Sequence, residues 1–388
     1  MNKKYFNTTG PINPDFHYHI PPLERMDLDQ VMGLIRRGKY FALHAPRQSG
    51  KTSFLRALRD FLHDIGEFAC LQLNLGNAVA GQANLERDIL AILATLAREA
   101  KFQLNDDYPD SIFHSVHERE TPQTALQSLL MSWTSRLGRP LVLLLDETDA
   151  LKDETLYSVL SQLRTGYEWR GERFPHSVLL CGVRDVTHIR PGQFGERPGE
   201  DLCPFNVLET SLRLENFQKN EVARLLMQHT KEAGQRFQPQ AIELMTVWTG
   251  GQPWLVNKMA EIAVRQRAGG SRGRLPVVTA EAIVAAQDYL INSRDPHFQQ
   301  FSDRLIDARV RKIVERILAG DTRWDTLPPE DLDYVLNLGL VVDRPRLDIA
   351  NPIYREVIPR ALARARKMER SRREPRWQDG ATVLKFDP

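Results

Sequence analysis

Lys51 and Thr52 close the run Ala45-Pro46-Arg47-Gln48-Ser49-Gly50-Lys51-Thr52, whose residue types and spacing suit the binding of a phosphate chain. In such a loop, the Walker A motif, backbone N–H groups curl around anionic oxygens, and the helix that follows adds its unsatisfied N–H groups and its dipole. Alanine stands at Ala45 where glycine is usual, which is tolerable at negative φ. Lys51 is expected to reach the β- and γ-phosphates and the Thr52 hydroxyl to ligate Mg²⁺. Ala45, Pro46, Arg47, Gln48, Ser49, Gly50 and Ser53 complete the expected cradle. A second group, Asp146-Glu147, follows the aliphatic run Leu141-Val142-Leu143-Leu144-Leu145 as a Walker B motif. Asp146 would hold Mg²⁺ through its water shell, and Glu147 would orient or deprotonate an attacking water.

These groups act together only if the chain brings them to one edge. Residues 39–44 read as a short apolar strand, and Phe54, Leu55, Leu58, Phe61, Leu62 and Ile65 then fall at helical spacing. That is the strand–loop–helix frame a phosphate loop requires. Residues 68–74 form a second strand, and Leu85, Ile89, Ile92, Leu93 and Leu96 share a helix face, whereas 103–120 read as polar and irregular. A helix carrying Leu126, Leu129, Leu130, Trp133 and Leu137 leads into residues 141–145, a strand buried on both faces of a parallel sheet. Its carboxyl end is where open α/β sheets bind ligands. Because residues 68–74 intervene, the two motif strands are not expected to be sequence neighbours. Residues 177–185 and 207–214 supply a fourth and a fifth strand, with a Gly- and Pro-rich loop over 190–206 between them.

Residues 6–25 are rich in Pro, Asn and Gly and read as an irregular leader, followed by a helix from Asp27 to Arg37. The leader either covers a nucleobase, with Ile20 and Pro21 as apolar contacts, or packs on the sheet. From Asn216 the period turns helical, interrupted by Thr249-Gly250-Gly251-Gln252-Pro253, with Pro253 suited to a first helical turn. Residues 267–276 make a Gly- and Arg-rich linker. Helices marked by Ile313 and Ile317 and by Val335 and Leu336, then a hairpin over 341–349, suggest a winged helix. Arg364, Arg366, Lys367, Arg370, Arg372, Arg373 and Arg376 make a basic tail, expected to be irregular.

A net charge of +2 with 26% charged residues describes neither a polyanion wrapper nor an acidic tail protein. Three scattered cysteines, Cys70, Cys181 and Cys203, exclude a disulfide framework and a cysteine zinc site. They point to a reducing compartment, and no apolar run reaches membrane-spanning length, so a soluble, cytoplasmic protein is expected.

Taken together, Phe6-Asn7-Thr8-Thr9-Gly10-Pro11, the two Walker motifs, Gly182-Val183-Arg184-Asp185 and Gly250-Gly251-Gln252-Pro253 resemble the bacterial AAA-like ATPase domain family. That family is similar to the STAND signalling NTPases and, more distantly, to the origin-recognition ATPases. The resemblance implies an α/β fold: a P-loop NTPase αβα core with a parallel sheet, an all-α lid and a winged-helix-like module. The corresponding boundaries are 1–215, 216–268 and 269–363, with the basic tail over 364–388. It implies ATP and Mg²⁺ as ligands, Arg184 or Asp185 as the polar group touching the γ-phosphate or the attacking water, and Gly251 and Pro253 at the adenine end. Typical AAA+ machines carry a sensor 2 arginine, and none follows Pro253 closely, so hydrolysis is expected to be slow.

Two functions stay open at this point. One is an ATPase switch whose nucleotide state is read by a protein partner. The other is a DNA-associated ATPase that grips nucleic acid with the winged module and basic tail and forms a nucleotide-dependent homo-oligomer. No membrane partner is expected in either.

Overall fold

The computed structural model describes residues 3–76, 84–151, 153–183, 206–265, 276–293, 295–321, 323, 325–343 and 345–373. The leader is almost wholly irregular, as its Pro and Gly content dictates. Its strands β1 (Tyr5–Phe6) and β2 (His17–Tyr18) make only a two-residue parallel pairing. A turn of 3₁₀ helix, Pro22–Arg25, precedes α1 (Leu28–Arg36), which begins where the Asp27 side chain accepts a hydrogen bond from the Gln30 amide.

The core follows as β3 (Tyr40–His44), α2 (Lys51–Ile65), β4 (Ala69–Asn74), α3 (Leu85–Leu104), α4 (Tyr108–Arg119), α5 (Ala125–Thr134), β5 (Leu141–Asp146), α6 (Asp153–Gly166), β6 (Ser177–Gly182) and β7 (Leu208–Arg213). The five strands lie in the order β4-β5-β6-β3-β7, all parallel. β6 therefore separates the two motif strands β3 and β5, as the intervening sequence leads one to expect.

Burial follows the strand period of two. Tyr40, Ala42, Leu71, Leu143, Leu145, Val178 and Leu180 point to one face, where α3, α5 and α6 pack. Phe41, Leu43, Val142, Leu144, Leu179 and Cys181 point to the other, under α1 and α2. The result is the expected three-layer αβα core. One element departs from the sequence reading: residues 108–119, expected to be irregular, form α4. Its Ile112, Phe113 and Val116 are only partly buried against the α3/α5 face, so polar neighbours dilute the helical period.

Beyond the sheet come α7 (Lys219–Ala233), α8 (Pro239–Thr249), α9 (Pro253–Arg265), α10 (Ala280–Asn292), α11 (Pro296–Arg304), α12 (Ala308–Leu318), α13 (Pro329–Asn337), the antiparallel pair β8 (Val341–Val342) and β9 (Asp348–Ile349), and α14 (Pro352–Arg373). Leader residues Phe6, Tyr18 and Ile20 share one apolar cluster with Leu225 and Met259 of α7 and α9 and with Ile283, Ile313, Leu340 and Ile358 further on. Helices α7 to α9 and the C-terminal segment thus have a common core. Residues 364–373 are not irregular, as expected of a tail, but complete α14, because Ala365 is buried there. The expected linker falls almost entirely within 266–275, and residues 374–388 close the chain; both stretches lie outside the described residues. Among the described residues, no helix is long and apolar enough to cross a membrane.

Trp133 of α5 is fully buried and its indole N–H donates to Asp106 Oδ2 at 2.8 Å. Trp133→Ala should lower the unfolding free energy by about 3–5 kcal/mol in urea denaturation. A loss below about 1 kcal/mol would show that the α3/α5 layer does not depend on that side chain.

Candidate nucleotide site

Parallel strands place their carboxyl ends along one edge, and the candidate groups gather there. The loop from Ala45 to Gly50 turns with Gln48 and Gly50 at φ of 60° and 100° before α2 begins. Lys51 folds back so that Nζ donates to the carbonyls of Ala45 (2.7 Å) and Pro46 (2.9 Å). Burial lowers the Lys51 pKa, while nearby Cys181, Asp149 and Asp146 oppose that shift. A phosphate chain in the loop would offer this ammonium stronger, charged acceptors than two carbonyls.

Thr52 Oγ1 donates to Asp146 Oδ2 at 2.7 Å, so the two residues expected to serve Mg²⁺ touch. A hydroxyl and a carboxylate at the phosphate end are hard oxygen donors of the kind Mg²⁺ takes, and they fit that ion. Among the described residues, no group of three or more His, Cys, Asp or Glu side chains is placed to hold a metal.

Glu147 adopts φ 56°, a left-handed conformation uncommon outside glycine, and its amide donates to Asp146 Oδ1 at 2.9 Å. Its carboxylate lies against Gly76 just after β4, where an added Cβ would stand 1.9 Å from Oε2. Only glycine permits that approach. The acidic turn is tied to the end of β6 by two bonds: Val183 N–H donates to Asp149 Oδ1 (2.8 Å), and Thr148 Oγ1 donates to the Cys181 carbonyl (3.1 Å). Lys51, Thr52, Asn74, Asp146, Glu147 and Asp149 line one cavity of about 560 Å³. Arg184 and Asp185 lie outside the described residues.

A second cavity of about 110 Å³ shares Gly10, Gln48, Gly50 and Ser53 with the first. Its walls are largely apolar and include Ile20, Phe217, Leu225, Pro253 and Trp254. The leader closes it: Ile12 N–H donates to Ser53 Oγ (3.0 Å), and Trp254 Nε1 donates to the Thr8 carbonyl (3.0 Å). Pro253 is among the residues that line it. Pro21 does not line this cavity, since it starts the 3₁₀ turn and its carbonyl accepts from Glu24, leaving Ile20 and Pro22 as wall residues. Gly251 is also set back. Its N–H donates to Thr249 Oγ1 (3.1 Å) and its carbonyl accepts from Phe217 (2.9 Å), so it braces the lid rather than facing a ligand. Of the remaining loop residues, Ala45 is buried under the sheet and Ser49 Oγ has no partner among the described residues.

Several residues at this site are invisible to motif reading. Arg25 donates to the carbonyls of Ser49 and Glu215 and lies 4.8 Å over the Phe217 ring, pinning the phosphate loop to the start of the lid. Burial brings its pKa down to about 10, against the pull of Glu221. His297 of α11 bonds to Gln48 Oε1, stacks on Trp254 with ring centroids 4.2 Å apart, and lies 2.9 Å from the Tyr354 hydroxyl. Burial pushes its pKa down to about 3, so the ring is neutral. Gln48 Oε1 can only accept, which assigns the proton to Nδ1 and leaves Nε2 to accept from Tyr354. Gly339 packs on Pro46, where a Cβ would come within 2.4 Å of the proline ring. Arg304 and Arg47 line a further cavity of about 430 Å³ together with Asp149 and Val183. Residue type alone signals them in the sequence, because their partners stand well apart in it: 24 and 190 positions for Arg25 and 249 for His297 to Gln48.

The profile of the AAA-like domain family matches residues 8–269. Among solved structures, the Walker-type ATPase PABY2304 of Pyrococcus abyssi has a TM-score of 0.60 at 15% identity, covering 91% of this chain and 99% of that one. The Aeropyrum pernix ORC1 protein, solved in complex with DNA, gives 0.43 at 15% identity over 92% and 96%. The RuvB Holliday junction branch migration motor of Thermotoga maritima gives 0.41 at 12% identity over 82% and 87%. No curated protein matches the chain in sequence. The first of these likenesses shows a shared fold, and the profile, spanning most of the chain and both motif loops, shows the kinship: this chain belongs to the AAA-like domain family of P-loop ATPases.

Proposed function

We propose that the protein is a Mg²⁺-dependent ATPase of slow turnover that works as a conformational switch, the C-terminal segment reading the nucleotide and a protein partner reading that segment. The boundaries proposed are 1–215 for the ATPase core with its leader, 216–268 for the lid and 269–363 for a winged-helix-like module. The observation that carries the reading is the direct seating of the C-terminal segment on the phosphate loop, through Gly339 on Pro46 and His297 on Gln48.

In this reading the base enters the 110 Å³ cavity and the phosphates follow the loop toward Lys51. Mg²⁺ at Thr52 and Asp146 would neutralise charge on the β- and γ-oxygens. Glu147, whose carboxylate lies against Gly76, takes a proton from the attacking water. Arg47 and Arg304 share a cavity, and Arg304 has its pKa lowered by burial and then by Arg47. Asp149, Asp303 and Asp307 line the same cavity, so its charge is mixed, and in this reading the two arginines meet the γ-phosphate, the anion that distinguishes ATP from ADP, from this side. Arg304 also donates to the Leu338 carbonyl at 2.9 Å, beside Gly339, which links that reading to the docking contact. A DNA-associated role is less favoured: Arg366 of the basic stretch is engaged with Glu315 at 2.7 Å.

Three outcomes are expected. Lys51→Ala should weaken ATP binding about 100-fold by calorimetry, since two charge-assisted bonds are lost. Unchanged affinity would remove the phosphate-loop assignment. Glu147→Gln should bind ATP as wild type does while turnover falls roughly 10²–10⁴-fold in a phosphate-release assay; wild-type turnover would show that another group handles the water. Gly339→Val should unseat the C-terminal segment, raising hydrogen exchange in residues 45–50 and the ATPase rate together. An unaltered rate with raised exchange would mean that docking does not govern the nucleotide.

A further inference from the structure

Asn257 lies one turn into α9, and at 9% exposure it is among the buried polar residues of the fold. Its Nδ2 donates to the Pro253 carbonyl at 2.8 Å, a bond that fixes which end of the amide faces which way. Its Oδ1 is buried and has no hydrogen-bond partner among the described residues. An orphaned acceptor of this kind is costly to leave unpaired, and native structures keep few of them. Asn257 also lines the small cavity beside the phosphate loop, whose other walls are mainly apolar.

We propose that Asn257 Oδ1 reads the nucleobase by accepting a hydrogen bond from the 6-amino group of adenine, a role that rests on the ATP reading above. The apolar walls hold the ring by burial, which is indifferent to base identity, so a polar contact must supply discrimination. Guanine and hypoxanthine present a carbonyl oxygen at the same ring position. Two acceptors would then face each other, and the amide cannot turn to offer its donor because Nδ2 is held by Pro253. The side chain therefore favours adenine both by the bond it makes and by the repulsion it sets against a 6-oxo base. Asn257 is a specificity residue and takes no part in the bond-breaking step.

The test is a ligand-by-variant cycle on the full chain, with dissociation constants measured by calorimetry for ATP, for purine riboside triphosphate lacking the 6-amino group, and for ITP and GTP. Wild type should bind the des-amino analogue roughly tenfold more weakly than ATP, and the 6-oxo nucleotides more weakly still. In Asn257→Leu the difference between ATP and the des-amino analogue should vanish, because the group that read the amine is gone. Equal penalties in wild type and variant would overturn the assignment. So would wild-type affinity that is the same for ATP and the des-amino analogue, a result that stands even if Asn257→Leu fails to fold. Failure of every triphosphate to bind wild type would instead remove the ATP reading and this inference with it, whereas tight ATP binding that ignores the amine would remove this inference alone.

Discussion

The contact between Thr52 and Asp146 is the constraint on which the rest of the site depends. These residues are 94 positions apart, Thr52 in the first turn of α2 after β3 and Asp146 at the end of β5, with β6 between those two strands, yet their oxygens lie 2.7 Å from each other. It follows from the parallel, unbroken pairing of β4, β5, β6 and β3, with Asn74 beside Asp146 and His44 beside Gly182. Apolar side chains on both faces of β3, β5 and β6 hold that register, since a slip by one residue would exchange the two buried faces. The edge that carries the candidate site is therefore a by-product of core packing, and polar residues at it follow wherever an aliphatic run ends.

A second level of organisation joins the phosphate loop to distant helices through buried polar groups. His297 is neutral because it is enclosed by Trp254, Phe298, Phe301 and Tyr354, and its two nitrogens are each matched to a partner. Its folded pKa of about 3 lies below the ordinary value of 6.5. The unfolded chain therefore takes up this proton first as pH falls. The seating of α11 is at full strength above about pH 6.5 and weakens as pH drops from there toward 3. Because leader, lid and C-terminal segment share one apolar cluster, a change at His297 cannot stay local to α11. It reaches Gln48 in the loop and Trp254 at the base cavity through the same ring.

How much of this was legible in the sequence depends on the range of the interaction. The strands, the two Walker motifs and the helix after each are local patterns, and Lys51, Thr52, Asp146 and Glu147 fall together in one cavity as their spacing implies. Pro253, placed at the adenine end by resemblance, lines the 110 Å³ cavity. Pro21 and Gly251, expected beside it, do not line that cavity, and for a common reason. Composition shows that a turn is present but not which of its residues faces inward, and here Ile20, Pro22 and Pro253 do. Arg25, His297, Arg304 and Gly339 owe their importance to tertiary approach to residues distant in sequence, which carries no periodic signature. The helical end of α14 was missed because charged residues outnumber the few alanines and leucines that anchor it.

The charge arrangement around the phosphate loop explains why the site is poised for an anion. Lys51 is satisfied only by carbonyls of its own loop, and Arg25 likewise spends its guanidinium on backbone oxygens. Arg47 makes no ion pair among the described residues, and burial lowers the pKa of both Lys51 and Arg304, with Arg47 adding to each shift. Cations in a desolvated setting repel one another more strongly than they would in water, and the acids opposite, Asp146 and Asp149, already bond to Thr52, Glu147 and Val183. A polyphosphate would relieve that repulsion and replace the carbonyl contacts of Lys51 at the same time. In the proposed switch the same anion would lie between the loop and α11, and its length, two phosphates or three, would then bear on how firmly the C-terminal segment is held.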